Sequence, residues 1–356
     1  MLIIQANNIH ESGARYLLLS ILKSICAPES NLHSTVFLDQ RFDRTLLEGL
    51  VDDKRVTIRG VAATVGSRLW SEWAISRLAA KNSGSTLLCL GSIPPLFPCA
   101  AEVVLYYQTV LYFKAFRKYI GGLRSLVKLS VEGFWIRARI ARVDRIFVQS
   151  RLVKDLLCKE FSLDGGSISV MPFADLENLR AVSTPVDSNA RMGFFYPALG
   201  TPHKNHALLI DAWVILAKQG ICPVLLLTID PRFEQLLAHL EQARNISGIR
   251  ATNLGLLSHQ QVLDQLLASE AMIFPSLCES FGLPLLEARE NGLPVIACER
   301  DYVREILDPV ETFDPESALS IARAVKRFLG IQEQHLTVLA PETLINSIAG
   351  KGSGAR

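Results

Sequence analysis

The 356-residue chain lacks most of the signals that settle a protein's class at a glance. Its seven cysteines, Cys26, Cys89, Cys99, Cys158, Cys222, Cys278 and Cys298, are odd in number and scattered, and no Cys-x-x-Cys pair occurs. That excludes a disulfide framework and a zinc-ribbon type of site, and it fits a reducing compartment. No apolar run approaches the ~18 residues needed to span a bilayer. The opening Met1-Leu-Ile-Ile4 is too short for a signal-peptide core and has no basic flank, so it reads as a first strand and the expected location is cytoplasmic. No Gly-x-Gly-x-x-Gly follows that strand, which disfavours a simple dehydrogenase. No nucleic-acid reader motif, internal repeat or low-complexity tract stands out, so nucleic acid is not an expected partner. No Asp-x-Asp pair occurs either, so no metal ligands are assigned and a divalent cation is not expected.

What is present is globular. Hydrophobic residues make up 49% of the chain and charged residues 20%, a composition on the apolar side and far from that of disordered chains. The length allows two domains, each with a real core. Strand-like and helix-like stretches alternate. In the first half the strands are Leu2–Ala6, Thr35–Leu38, Val56–Ile58, Thr86–Leu90, Val103–Tyr107, Arg145–Val148 and Ser167–Met171. The helices there are Ala14–Ile25, Leu69–Ala80, a basic segment and Leu152–Phe161. In the second half, strands at Met192–Tyr196, Val224–Ile229, Ala271–Phe274 and Pro294–Cys298 alternate with helices at His206–Lys218, Phe233–Ala243, Ser258–Ala268 and Pro284–Glu290. Such alternation predicts an α/β protein with two doubly wound parallel sheets. The expected divisions are a first domain over 1–172, a linker over 173–190 containing Pro185, Asp187 and Ser188, a second domain over 191–345 and a flexible tail over 346–356. Two facing Rossmann-like domains place ligands in the cleft between the carboxyl ends of their strands.

The 37 Lys and Arg nearly balance the 35 Asp and Glu, but not locally. Residues 1–172 hold 22 basic against 14 acidic residues, and the remainder 15 against 21. Much of the basic excess falls between Lys114 and Arg151, where Lys114, Arg117, Lys118, Arg124, Lys128, Arg137, Arg139 and Arg142 interleave with Phe116, Tyr119, Leu123, Leu126, Phe134, Trp135 and Ile136. Basic amphipathic helices of this kind lie on anionic membrane surfaces. A helix pair with solvated basic faces is an equal reading.

The most informative run is Cys278-Glu-Ser-Phe-Gly-Leu-Pro-Leu-Leu-Glu-Ala-Arg-Glu-Asn-Gly-Leu-Pro-Val-Ile-Ala-Cys298. It follows a strand, turns at Gly282 and opens a helix with Pro284, which suits the first helical turn because its missing N–H would lack an intrahelical partner. Asn291-Gly292 supplies a left-handed end and Pro294 stops the helix. Glu279 then stands at a strand's carboxyl end and Glu287 one turn into the helix, with the free N–H groups of the helix facing the same space. That geometry suits a ligand with both phosphate and sugar hydroxyls. Two Glu eight apart on a surface helix are usually just solvated. Here the flanking Phe274-Pro-Ser276, Phe281-Gly-Leu-Pro284 and Gly292-Leu-Pro-Val295 set the run apart.

With these motifs the chain resembles the retaining family-4 glycosyltransferases, the glycosyl transferases of group 1. Their signature is Pro-Ser, Glu, Gly-Phe-Gly-Leu-Pro and a second Glu; Ser280 stands here in place of the first Gly. The resemblance implies a GT-B fold, and often a last helix that crosses back onto the first domain; the region after Leu336 is short and weakly helical for that. It also implies transfer of a sugar from a nucleotide-sugar donor to a hydroxyl acceptor, with retention at the anomeric carbon. A lipid-linked or oligosaccharide acceptor in bacterial surface polysaccharide synthesis is the expected class.

The resemblance also implies roles. Lys204, at the entrance to a helix after Tyr196-Pro-Ala-Leu-Gly-Thr-Pro202, matches the family's phosphate lysine. At ~4 Å and an effective dielectric of ~20 one cation contributes roughly 4 kcal/mol against an anionic oxygen, on the order of three decades of rate if it acts on the leaving group. Many relatives add an Arg where Ala198 and Leu199 stand, so His203, His206 or a first-domain residue would have to supply the missing charge. Glu279 is expected on the donor sugar hydroxyls, Phe281, Gly282 and Leu283 as backbone donors to sugar and phosphate, and Glu287 on the ribose diol. Gly13, in Asn7-Asn-Ile-His-Glu-Ser-Gly13, matches the family's glycine loop, with Ser12 near a helix N-cap and His10 a candidate to orient the acceptor. Gln108 stands where many relatives place a sugar-contacting His; it still donates and accepts but cannot titrate. Gly255 resembles the base-holding loop, or is a plain turn. Ser276 and Glu305 read as structural. Retention by double displacement needs a carboxylate nucleophile on the opposite sugar face, and none is evident, so same-face substitution is expected. A sugar-nucleotide epimerase on the same scaffold, or a non-catalytic sugar-nucleotide-binding protein, are the alternatives.

Overall fold

Two parallel sheets organise the computed structural model, which describes residues 1–51, 54–180, 191–333 and 341. The first domain carries β1 (Leu2–Ala6), α1 (Ser12–Cys26), β2 (Ser34–Asp39), β3 (Val56–Val61), α2 (Val65–Lys81), β4 (Thr86–Cys89), β5 (Glu102–Tyr107), α3 (Leu123–Arg139), β6 (Arg145–Val148), α4 (Arg151–Phe161) and β7 (Ile168–Val170). The second carries, after α5 (Leu176–Leu179), β8 (Phe194–Tyr196), α6 (His206–Lys218), β9 (Leu225–Leu227), α7 (Glu234–Ser247), β10 (Ala251–Asn253), α8 (His259–Ala268), β11 (Ala271–Phe274), α9 (Leu283–Glu290), β12 (Val295–Cys298), α10 (Asp301–Arg304), β13 (Glu311–Phe313) and α11 (Ala318–Phe328).

The seven-stranded sheet runs β3-β2-β1-β4-β5-β6-β7 and the six-stranded sheet β10-β9-β8-β11-β12-β13. Every pairing among them is parallel, for example Ile3 beside Thr35 and Leu87, or Met272 beside Val295 and Phe195. Helices cover both faces, so the central strands read as continuous apolar runs: all six residues of β2 and all four of β11 are buried. In each sheet the chain order reverses at one place, between β1 and β4 and between β8 and β11, which opens a crevice at the strands' carboxyl ends. Two apolar clusters form the first domain's core and one forms the second's.

Local chemistry explains the helix starts. Thr64, Ser150 and Ser317 each accept a backbone N–H from three residues on, and Ser258 with Gln261 forms a reciprocal capping box. At α1 the expected cap differs: Glu11 holds the N-cap position without a side-chain bond, and the helix begins at Ser12. Helix α9 begins as expected after Gly282, whose φ of 81° only glycine adopts freely, and ends before Gly292 at φ 63°. Five elements were not foreseen, α5, β10, α10, β13 and α11. The two strands are three residues each, too short for a visible period. Residues 173–180, read as the start of a linker, hold α5, whose Leu179 packs in the second domain's core while its carbonyl accepts from Asn291. The rest of that stretch, the region after Leu336 apart from residue 341, and the tail lie outside the described residues.

Candidate functional site

A cleft of about 530 Å³ opens where the two reversal points face each other. The loops after β1, β4 and β5 line one side, with Asn8, Gly13, Ser92 and Gln108; the loops after β8 and β11 line the other, with Lys204, Glu279 and the start of α9. The domains meet closely here. A Cβ on Gly13 would lie 3.8 Å from the Leu283 side chain across the cleft. Ser150 at the start of α4 donates to the Ser280 carbonyl at 2.9 Å, and Cys278 packs into the first domain's core.

The structure brings Lys204, Glu279 and Glu287 to this one space. Lys204 Nζ lies 2.5 Å from Glu279 Oε1, both largely withdrawn from solvent. The lysine is held from its backbone: the Tyr196 hydroxyl, within 2.9 Å of Ser276 Oγ, donates to the Lys204 carbonyl at 2.9 Å. Leu277 N–H donates to the His203 carbonyl at 2.8 Å and ties the two loops together. Asn205 sits in the left-handed region at φ 62°, where Asn is tolerated, and its amide donates to the carbonyls of Pro275 and Pro315. Burial alone would raise the Glu279 carboxyl. The charge of Lys204 and hydrogen bonds from Lys204 and Ser276 outweigh it and hold the group below its ordinary range, ionised at neutral pH.

Glu287, 4% exposed, projects from α9 into the same cleft and meets His259 Nε2 at 2.9 Å. The His259 ring lies against Tyr16 of α1, centroids 4.6 Å apart, so this pair also bridges the domains. Phe281, Gly282 and Leu283 line the cleft at the mouth of α9, where Pro284 has no N–H and the Leu285 N–H donates to the Gly282 carbonyl at 2.9 Å, which leaves the backbone N–H groups of the lining residues to face a ligand. Gln108 lines it too, but its amide is engaged, donating to the Leu90 carbonyl at 2.7 Å, while its N–H donates to Ser92. The Asn8 amide donates to the Gly91 carbonyl, and a Cβ at position 91 would fall 1.9 Å from Asn8 Oδ1, so only glycine fits that wall.

Two expected residues are not brought there. His10 does not line the cleft; its Nδ1 lies 3.6 Å from Asp39, a carboxylate that Arg41 already grips. Gly255 lies outside the lining as well and, at φ 72°, makes the turn after β10. The residues named to replace a missing Arg do not supply charge at neutral pH. Burial, then the neighbouring Lys204, pushes His203 down to about 4, and His206 to about 3, with His206 stacked on Tyr196 below the surface. Ala198 and Leu199 line the cleft, and among its described lining residues Lys204 is the sole Lys or Arg. Ser276 and Glu305 act as read: Ser276 is tied to Tyr196 and Tyr302, and Glu305 accepts the Arg151 and Leu152 N–H groups at the start of α4. Sequence reasoning missed His259 and Tyr16. A helix over Ser258–Ala268 was expected, but no local signal couples His259, the first residue of α8, to a carboxylate twenty-eight positions on.

Among the described residues no group of three His, Cys, Asp or Glu is placed to hold a metal ion, and no helix is long and apolar enough to cross a membrane.

This arrangement of two facing Rossmann-like domains is the GT-B fold, and similar solved structures confirm that fold. An Anabaena protein, Alr3699/HepE, crystallised with UDP and glucose, superposes with a TM-score of 0.67 at 16% identity over 92% of this chain and 90% of that one. A glycosyltransferase from Rickettsia africae ESF-5 gives 0.69 at 16% over 92% and 88%, and the lipopolysaccharide outer core galactosyltransferase WaaB gives 0.61 at 16% over 98% and 99%. Within the fold, residues 187–337 match the family described as Glycosyl transferases group 1. A stretch of 146 residues, 38% of this chain, is 32% identical to the serotype-specific mannosyltransferase WbdA of Escherichia coli. The match spans 17% of that relative's length.

Proposed function

We propose that the protein is a retaining, metal-independent hexosyltransferase of the family-4 type, moving a sugar from a nucleotide-sugar donor to a hydroxyl acceptor. One observation carries this reading: the Lys204–Glu279 pair, the mouth of α9 and Glu287 converge on a single interdomain cleft. The N–H groups at the helix mouth and Lys204 suit a diphosphate, and the two carboxylates suit diols. The family match over the second domain supports a donor on that side, and the UDP in complex with the Anabaena neighbour supports a nucleotide-linked donor.

In the reaction, the bond between the anomeric carbon and the donor phosphate oxygen breaks. The acceptor oxygen bonds to the same face, and its proton passes to the departing phosphate. The protein's part is positioning and charge. Lys204 turns from Glu279 to the leaving phosphate, freeing Glu279 for the sugar hydroxyls. Phe281, Gly282 and Leu283 donate from their backbone, Glu287 takes the ribose diol, and Gly13 lets the first domain approach. Gln108 contacts the sugar through its Oε1 or its second amide N–H, the first being held by the Leu90 carbonyl. His10 orients the acceptor only through a rotation away from Asp39, and Gly255 reaches the base only through its loop backbone.

Likeness to WbdA and WaaB supports a role in lipopolysaccharide or O-antigen synthesis, on a lipid-linked or oligosaccharide acceptor. A cytoplasmic enzyme resting on the inner membrane face fits Leu123, Val127, Val131 and Phe134, which are exposed along α3.

A panel of UDP- and GDP-hexoses, read by thermal shift and by nucleotide release with and without oligosaccharide acceptors, tests the reading. We expect stabilisation by one donor, nucleotide release that needs an acceptor, a product of unchanged anomeric configuration, and roughly a thousandfold loss of turnover in Lys204→Ala. Sugar isomerisation without an acceptor would make the protein an epimerase. Donor binding with no turnover in the native protein or the variant would make it a binding protein. Full activity of Lys204→Ala would remove the proposed leaving-group role.

A further inference from the structure

Tyr16 of α1, His259 of α8 and Glu287 of α9 form a chain of contacts from one domain to the other, and all three residues line the cleft. Its far end is the carboxylate assigned above to the ribose diol. Among the described residues, the side chain of Glu287 makes one hydrogen bond, with His259 Nε2 at 2.9 Å from Oε1. A carboxylate only accepts, so the imidazole N–H donates. The bond leaves Oε2 without a partner among the described residues. A carboxylate offers about four lone-pair sites, so Glu287 can keep His259 and accept two ligand hydroxyls at the same time.

Two hydroxyls on adjacent carbons fit a carboxylate only when its plane is fixed. A glutamate side chain rotates about three bonds before that plane is set, and ordering it costs conformational entropy. A bond to one of its oxygens sets the plane before the ligand arrives.

His259 is itself held from two sides. It is the first residue of α8, directly after the Ser258 cap whose box with Gln261 fixes the start of the helix. Its ring lies against Tyr16 from the other domain, centroids 4.6 Å apart and planes at 42°. Arg15 backs that tyrosine: its guanidinium lies 5.1 Å from the ring centroid and donates to the hydroxyl at 3.2 Å. The imidazole therefore stands between a carboxylate of the second domain and an aromatic ring of the first.

We propose that His259 is a positioning residue for nucleotide recognition, which orients Glu287 towards the ribose diol and is itself held in place by Tyr16 of the opposite domain. The inference rests on the reading of Glu287 as the ribose carboxylate and adds the device that aims it. Through this chain, contact with the ribose depends on how the first domain is seated.

The test is isothermal titration calorimetry of the full-length protein with UDP, GDP and their 2′-deoxy counterparts. It reads the preference for ribose over 2′-deoxyribose in the native protein and in His259→Ala, His259→Gln, Tyr16→Ala and Glu287→Ala. The preference is a ratio within each protein, so a partly unfolded variant lowers both affinities and leaves it in place. We expect a native preference of about tenfold, a fall to about twofold or less in His259→Ala and Glu287→Ala, a clear reduction in Tyr16→Ala, and retention of about fivefold in His259→Gln, whose amide still donates. The 2′-deoxy nucleotides should bind His259→Ala about as well as the native protein. A native preference that survives in His259→Ala or in Tyr16→Ala overturns the inference while leaving Glu287 on the diol. Equal weakening of ribose and deoxyribose forms in His259→Ala also overturns it, since that marks a purely structural tie. A native protein with no preference, or one whose preference survives Glu287→Ala, removes the ribose role of Glu287 and the inference with it. A native protein that binds neither nucleotide removes the donor reading itself.

Discussion

Burial acts on two carboxylates of this protein, and their neighbours decide opposite outcomes. Glu279 has a cation at 2.5 Å and stays ionised. Glu72 is as hidden but has only neutral donors, and burial, opposed by hydrogen bonds from Leu96 and Gln5, pushes its carboxyl up to about 7. The folded form therefore binds a proton that the unfolded chain releases near 4.5. Its stabilising effect is complete below that pH and is lost as the pH climbs through about 7, a difference on the order of 3 kcal/mol. Chemical denaturation at pH 5 and pH 8 checks this: Glu72→Gln should lessen the fall in stability between them by that order. An unchanged pH difference in the variant would show that Glu72 ionises normally. The residue scale is also where the sequence was least sufficient. Lys204, Glu279 and Glu287 were legible from motif and spacing. Glu72 looked like any helix carboxylate, because nothing within four residues of it reports the Gln5 amide from β1.

At the scale of elements, α3 stands out for how little of it is used. Of its residues only Ile136 is buried, while Leu123, Val127, Val131 and Phe134 are 77%, 56%, 60% and 74% exposed. Their spacing of four, four and three puts them on one helical face, with Arg124 and Lys128 beside them. The segment was legible as basic and amphipathic, and its helix confirms the period. The structure adds that the apolar row faces away from the core, beside exposed Val65, Leu69 and Trp73 of α2. A row of this kind with basic neighbours favours an anionic bilayer surface. Sedimentation with phosphatidylglycerol vesicles should capture the native protein, and Leu123→Asp with Phe134→Asp should reduce capture about tenfold or more. Equal capture of the double variant would leave the row as a merely solvated face. Elements with strong periods, such as α6 and β11, appeared where the pattern placed them, whereas β10 and β13 form only because neighbouring strands offer them an edge to pair with.

At the scale of the whole molecule, polar contacts outside the cleft lining help to hold the lobes together. Arg232 grips Glu11 through two bonds of 3.0 and 2.9 Å, Lys23 meets Asp175 at 2.8 Å, and Glu305 closes the start of α4 from the other domain. The last is a helix cap supplied in trans, using the same orphan N–H groups that a local Ser or Asp would take. Glu305→Ala should cost about 1 kcal/mol in thermal stability and raise the radius of gyration measured by X-ray scattering without ligand. An unaltered radius would show that the other contacts suffice to keep the lobes closed.

The sequence by itself determined the alternation of strands and helices, the two-sheet architecture and the run that turns at Gly282 into α9 beside the cleft, because period, caps and turn residues act over a few positions along the chain. Only the tertiary structure decided that Lys204 rests on Glu279, that His259 ties Glu287 to the other lobe, that His10 turns to Asp39, and that the Gln5 amide of β1 donates to Glu72 of α2. Each of these joins residues that share no local pattern, and burial and charge depend on what folding brings within a few ångströms.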